Sequence, residues 1–242
     1  MALICFLQAL SDKTITAIAD CGTHDWWIDH QAGLVYKPGF EMPTGLGKLF
    51  GRAPEAKPYC IAAFDRGGGE GKLFDTDKAW EGVHYIINDT RDVTPYPYGF
   101  LYSGGIELTG DRSSGAGPLR AFKAEQASEI LEALRKLPHQ ILRSRFSPAL
   151  FDEMQIYPYP ADKLESGKTT YWRADDFDEY LFSTFRGICL FLENCVQRNL
   201  GFIIGIELGL SIVTDEDCTF VPSREDGLFK DQVELKWRGS EQ

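Results

Sequence analysis

The chain is short of positive charge. Its 242 residues hold 25 Lys and Arg against 36 Asp and Glu, a formal net charge of −11. That balance argues against nucleic acid as a direct ligand, because phosphate contacts are made by Lys and Arg. Long apolar runs are missing too: nothing approaches the roughly 18 apolar residues of a membrane span. The opening MALICFLQAL is apolar but carries no basic stretch, so a first strand is expected there rather than an export signal. Cysteine is sparse and scattered, at Cys5, Cys21, Cys60, Cys189, Cys195 and Cys218. No C-x-x-C pair and no finger-spaced His accompany them, so no metal site is expected, and the thiols read as those of a reduced, cytoplasmic protein. No G-x-S-x-G nucleophile elbow occurs. The stretch Gly67 to Lys72 is similar to a phosphate loop but fails as one. Arg66 stands where the first Gly belongs, and Leu73 stands where Ser or Thr would hold magnesium. No cofactor is expected.

What is present is an ordinary folded composition, 43% hydrophobic and 25% charged, in a chain long enough to bury a sizeable core. Ala2 to Leu10 reads as a buried strand, and Ser11 caps a helix running to Asp20. Residues 21–73 are irregular and rich in aromatics, so short strands and packed loops are expected there. Tyr98 to Leu108 reads as a strand interrupted by Gly104-Gly105, and Leu119 to Phe122 as a short strand. Ala124 to Lys136 is an amphipathic helix with Ala127, Ile130, Leu131 and Leu134 inward. Pro138 to Arg145 continues as a second helix. Ser147-Pro148 is a cap followed by proline at the first helical position of a third. The longest helix spans Asp175 to Asn199 with Phe177, Leu181, Phe185, Ile188, Leu192 and Val196 as its core stripe. Phe202 to Leu208 is a buried strand, and Gln232 to Trp237 is a further candidate. With no internal repeat and no convincing linker, residues 1–242 read as a single α+β domain: a mixed β-sheet with several helices packed mainly on one side.

Phe74 to Asp89 is the most distinctive stretch. Asp75 or Thr76 can cap a helix in which Trp80, Val83, His84 and Ile87 share one face. Asp77 and His84, with Trp80 between them, are ligand-site candidates: a carboxylate near an imidazole suits acid–base work. The structural alternative is a capped helix with His84 hydrogen-bonded in the core. Gly104, Gly105 and the run Gly115-x-Gly117-Pro118-x-Arg120 are a further candidate. Backbone N–H groups of a Gly-rich turn can cradle an anion, and Arg120 can clamp a carboxylate or phosphate. Its alternative is a turn that needs glycine, with Arg120 in a structural pair. His24, Asp25, Asp29 and His30 contain ligand-type residues at no recognised zinc spacing.

These segments carry a resemblance. The stretch D-T-D-K-A-W-E-G-V-H from Asp75, the Gly104 to Arg120 segment, Phe146 to Pro158, and Trp172 with the long helix up to Ile206 follow one another in order. In that order they are similar to the YfbM-like family of bacterial proteins, a domain of unknown function. The likeness covers about residues 73–208, and 1–20 as well. It leaves a divergent insertion at about 21–72 and a C-terminal extension at about 209–242. The resemblance implies the fold; the family supplies no catalytic residues to carry over.

The functional expectation is a soluble, non-catalytic bacterial protein that binds a partner. An immunity-type or accessory protein that sequesters a toxin is the sharper form. The acidic charge suits a basic partner. A variable aromatic insertion on a fixed scaffold suits partner choice. Trp26, Trp27, Tyr36 and Phe40 are the candidate anchors if they are exposed. The competing expectation is a small-ligand binder or enzyme that uses the Gly104/Arg120 pocket.

Overall fold

The computed structural model describes residues 2–20, 27–29, 34–37, 59–63, 70, 72–108, 117–158 and 171–209. All of them belong to one compact unit ending at Gly209. Expectations for Gln232 to Trp237 therefore lie outside the described residues.

Two nine-residue strands make the spine. β1 (Ala2–Leu10) and β8 (Gly201–Gly209) pair antiparallel along their whole length, from Ala2 opposite Gly209 to Leu10 opposite Gly201. Both are nearly unbroken apolar runs, as strands covered on two faces must be. β5 (Leu73–Asp75) pairs with the outer side of β1. On the far side, β7 (Arg120–Phe122) pairs with β8, and β6 (Ile106–Glu107) closes that edge. The order is β5-β1-β8-β7-β6. The α+β reading holds, but every described pairing is antiparallel where a mixed sheet was expected. A separate three-stranded sheet is formed by β2 (Trp27–Asp29), β3 (Leu34–Lys37) and β4 (Tyr59–Ala63), in that order.

Strand alternation sends side chains to two cores. Cys5, Leu7, Ala9, Phe122, Phe202, Ile204 and Ile206 face the larger one. There they meet α2 (Trp80–Asn88), α3 (Ala124–Arg135) and α6 (Ser183–Gln197). Phe6, Leu10, Ala121 and Ile203 face the other, where α1 (Asp12–Asp20) covers them with Ile15 and Ile18. Ser11 does cap α1: its Oγ accepts the Thr14 N–H at 3.2 Å. Two short helices, α4 (His139–Ser144) and α5 (Pro148–Glu153), follow α3, and Ser147 Oγ accepts the Leu150 N–H at 3.5 Å.

Four sequence expectations are corrected. Tyr98 to Leu108 is not a strand. Residues 97–103 curl into turns, with Tyr102 and Ser103 each donating to the Gly99 carbonyl at 2.8 Å, and only Ile106–Glu107 is extended. The Asp75 stretch is the edge strand β5, and the helix begins only at Trp80, with no side-chain cap. α2 is also not one-faced: Trp80 to Ile87 are all buried, so it is a central helix. The longest helix opens with a π-helical turn, Phe177–Phe182, before α6. At its far end Cys195 is buried and Val196 is 37% exposed. There the chain turns back at Asn199 (φ 52°), and Leu200 N–H bonds the Cys195 carbonyl at 2.8 Å, which draws position 195 inward.

Candidate functional site

His84 is committed to structure on both ring nitrogens. It is 0% exposed on the central helix. Nε2 lies 2.9 Å from the Asp92 carbonyl, and Nδ1 lies 3.3 Å from Asn88 Nδ2. The consistent tautomer donates from Nε2 and accepts at Nδ1, leaving a neutral ring. Burial pushes its pKa below the usual 6.5, against weaker raising effects from Asp92 and Glu81. Tyr102 sets its ring edge-on to His84, with centroids 4.3 Å apart.

Arg120 is similarly engaged. It is 7% exposed, and its guanidinium donates to the carbonyls of Phe100 at 2.9 Å and Leu101 at 2.6 Å. Burial lowers its pKa to about 10, with Cys5 and Glu107 acting weakly the other way. The cavity beside it, between Leu101, Tyr102, Pro118 and Ile206, measures about 20 Å³. That is room for a water molecule. Gly104 and Gly105 both have positive φ, 79° and 73°. A Cβ on Gly105 would stand 2.5 Å from the Ala121 carbonyl oxygen. Their freedom from a side chain is used by the turn.

Asp77 behaves differently from these groups. It sits in the tight link between β5 and α2 at φ 50°, a conformation uncommon for residues with a side chain. The link is pinned from both sides. Asp75 Oδ1 accepts the Asp77 N–H at 2.7 Å, the Cys5 N–H reaches the Asp77 carbonyl at 3.3 Å, and Thr76 Oγ1 donates to the Cys5 carbonyl at 2.9 Å. The Asp77 side chain is thereby held half-buried against the π-helical turn, where Tyr180 donates its hydroxyl to Oδ2 at 2.9 Å. Single π-turns recur at functional sites because they re-aim a side chain out of helical register.

Two more tyrosines share this environment. The Tyr157 hydroxyl accepts the Leu3 N–H at 2.7 Å. Trp80 packs between Tyr102 and Tyr157, with both ring centroids at 5.6 Å, and its indole N–H donates to the Leu3 carbonyl at 3.3 Å. Trp172 stands between Tyr171 at 5.8 Å and Tyr180 at 6.4 Å, and its indole donates to the Ile156 carbonyl at 3.2 Å. Tyr157, Tyr171 and Tyr180 all have raised pKa values, first through burial and then in part through the negative charge of Asp77. All are protonated and neutral at physiological pH. The site is thus a single carboxylate walled by aromatic rings. By contrast, Glu81 nearby is held by Arg91 at 2.8 Å and receives the Tyr157 N–H at 2.6 Å.

The remaining sequence candidates are dispersed. Trp27 and Tyr36 are register partners across β2 and β3. Trp26 and Phe40 lie outside the described residues, as do His24, Asp25 and His30. Among the described residues, no cluster of His, Cys, Asp and Glu is arranged to hold a metal ion. Cys5, Cys189 and Cys195 are buried free thiols, each pushed up to about 12 by burial, so none is a ready nucleophile. No described helix is long and apolar enough to cross a membrane.

The family comparison fits this picture of a defined scaffold. A family model described as "Domain of unknown function (DUF1877)" matches residues 1–204. The chain belongs to the DUF1877 family. The match runs through residues 21–72 and ends just short of the extension at 209–242. Among solved structures, this DUF1877 chain is similar to the protein of unknown function YfbM from Escherichia coli. The identity is 13% and the TM-score 0.48, over 84% of this chain and 99% of that one. No curated protein matches it.

Sequence reading singled out Asp77, Trp80 and His84 together. The structure separates them: Asp77 points to the tyrosines, Trp80 forms part of their wall, and His84 is sealed behind Tyr102. Tyr157, Tyr171 and Tyr180 were missed. Tyr180 lies 103 residues from Asp77, and no local spacing could have joined them. The weak signal was polar-tipped aromatics at 157, 171 and 180 in a region otherwise read for its apolar residues.

Proposed function

We propose that the protein acts by binding a partner rather than by turning over a substrate. The observation that carries this reading is the contrast between committed and uncommitted polar groups. His84, Arg120 and the buried thiols are locked into the fold, whereas Asp77 keeps a carboxylate oxygen beside solvent in a wall of aromatic rings. Aromatic and acidic groups placed together at a surface suit recognition of a basic protein. The net charge of −11 would draw such a partner in. In its sharper form the reading is a cytoplasmic, single-domain, immunity-type or accessory protein that sequesters a toxin. The test is co-expression with the product of the adjacent gene, followed by size-exclusion chromatography and a growth-rescue assay. A stoichiometric complex that abolishes toxicity supports the reading; separate elution with no rescue sinks it.

The competing reading is a small-ligand binder or enzyme at Gly104, Gly105 and Arg120. It draws support from the cavity beside Arg120. A ligand whose binding survives in Arg120→Lys, where one ammonium replaces the paired donors, would not be using that guanidinium.

A further inference from the structure

We infer that the Asp77 site is a subsite for one cationic side chain, a lysine ammonium or an arginine guanidinium presented by a partner protein. The inference names the chemistry of the partner in the binding reading and rests on that reading for the partner being a protein.

The argument begins at the carboxylate. Asp77 Oδ2 accepts from Tyr180, while Oδ1 has no hydrogen bond and no ion pair among the described residues. Other carboxylates nearby or on the same helices are neutralised: Glu81 by Arg91, Glu193 by Arg135, Asp176 by Arg173. Asp77 is also held in place at a backbone cost, since φ 50° is unfavourable for a residue with a Cβ. Strain of this kind is retained where the surroundings over-determine a geometry, and such places cluster at functional sites. Two further irregularities converge on the same point. The π-helical turn Phe177–Phe182 delivers Tyr180, and Gln155, two residues before Tyr157, is also left-handed at φ 53°.

The wall then selects the ligand. Ring faces attract cations and repel anions. The rings of Tyr157, Tyr171 and Tyr180 stand around Asp77, backed by Trp80 and Trp172. An anion would meet the Asp77 charge, and a neutral apolar group would desolvate the carboxylate with no return. A cation satisfies Oδ1 and meets the ring faces at once. Tyr171, 37% exposed, marks the open side.

The experiment uses the full chain and Asp77→Asn, which keeps an acceptor for Tyr180. The probes are Nα-acetyl-lysine methylamide, its arginine counterpart and its neutral norleucine counterpart. The readout is the shift of the Trp80 and Trp172 indole N–H resonances. Saturable shifts with the lysine or arginine probe, absent with norleucine and roughly ten-fold weaker in Asp77→Asn, are expected. The stronger of the two cationic probes identifies the side chain. An equal response to norleucine, or an unchanged affinity in Asp77→Asn, overturns the inference. On the wild-type chain alone, the cationic response must weaken as salt is raised; salt independence overturns it as well. A protein partner captured equally by wild type and Asp77→Asn would defeat the subsite and leave the binding reading standing. Asp77-dependent binding of the probes without any captured protein would do the reverse.

Discussion

Gln8 is 0% exposed in the middle of β1, and neither its amide nitrogen nor its oxygen has a hydrogen-bond partner. A buried polar group left unpaired costs about 1–3 kcal/mol, more than its pairing would contribute. Gln8→Met keeps length and removes the penalty. We expect it to raise unfolding free energy by about 1–2 kcal/mol in urea titrations with an unchanged m value. His84 makes a second prediction at this scale. Its folded pKa lies below the 6.5 of the free side chain, because burial penalises the charged ring. As pH falls through 6.5 the unfolded state therefore takes up a proton before the folded state does. Stability contributed by the neutral ring is complete above 6.5 and is lost progressively as pH drops toward the folded value. Imidazole NMR should show His84 titrating below 6.5, and the urea midpoint should fall between pH 7 and pH 5.5. A His84 that titrates at or above 6.5 would contradict the sealed geometry.

Among the elements, the turn at 97–103 shows how a predicted strand is redirected. The sequence Tyr98 to Leu108 has the composition of a strand, but a strand needs its carbonyls in a ladder. Here the carbonyls of Phe100 and Leu101 are taken by the Arg120 guanidinium from β7. The forked cation satisfies both at once, as no other side chain can. Arg120→Met should destabilise the protein by about 2–4 kcal/mol, since it leaves buried acceptors unpaired. Arg120→Lys should recover only part of that, because a point charge cannot span both carbonyls. Thermal or urea melts of the pair decide the matter; equal stability of Met and wild type would show the turn to be held by packing alone.

On the scale of the molecule, the two long central strands fix where everything else goes. Their alternating side chains supply one core for α2, α3 and α6 and another for α1. The start of β1 also supplies Leu3, whose main chain binds Trp80 and Tyr157, so the sheet itself positions the Asp77 wall. The charge of −11 acts over the whole surface. If the partner is basic, its association rate should drop steeply as ionic strength rises from a few millimolar to physiological, with a smaller change in dissociation rate. Stopped-flow or surface kinetics at two salt concentrations measure this, and a salt-independent association rate would remove charge from the recognition.

Local periodicity alone determined a good deal of this protein. It placed β1, α1, α3, α5 and β8, because the apolar repeat and the Ser11 and Ser147 caps are encoded within a few residues. It found Trp80, Val83, His84 and Ile87 buried, and it offered the hydrogen-bonded core histidine beside the catalytic reading. It did not find the full burial of α2, because helical spacing shows which face is apolar and not how many neighbours close over the rest. Nor could it find the site. Asp77 and Tyr180 meet only when the sheet, the central helix and a π-helical turn are assembled. Such a turn has no repeat of its own to read, and contacts 103 residues apart are set by packing, which one sequence records only in the folded chain.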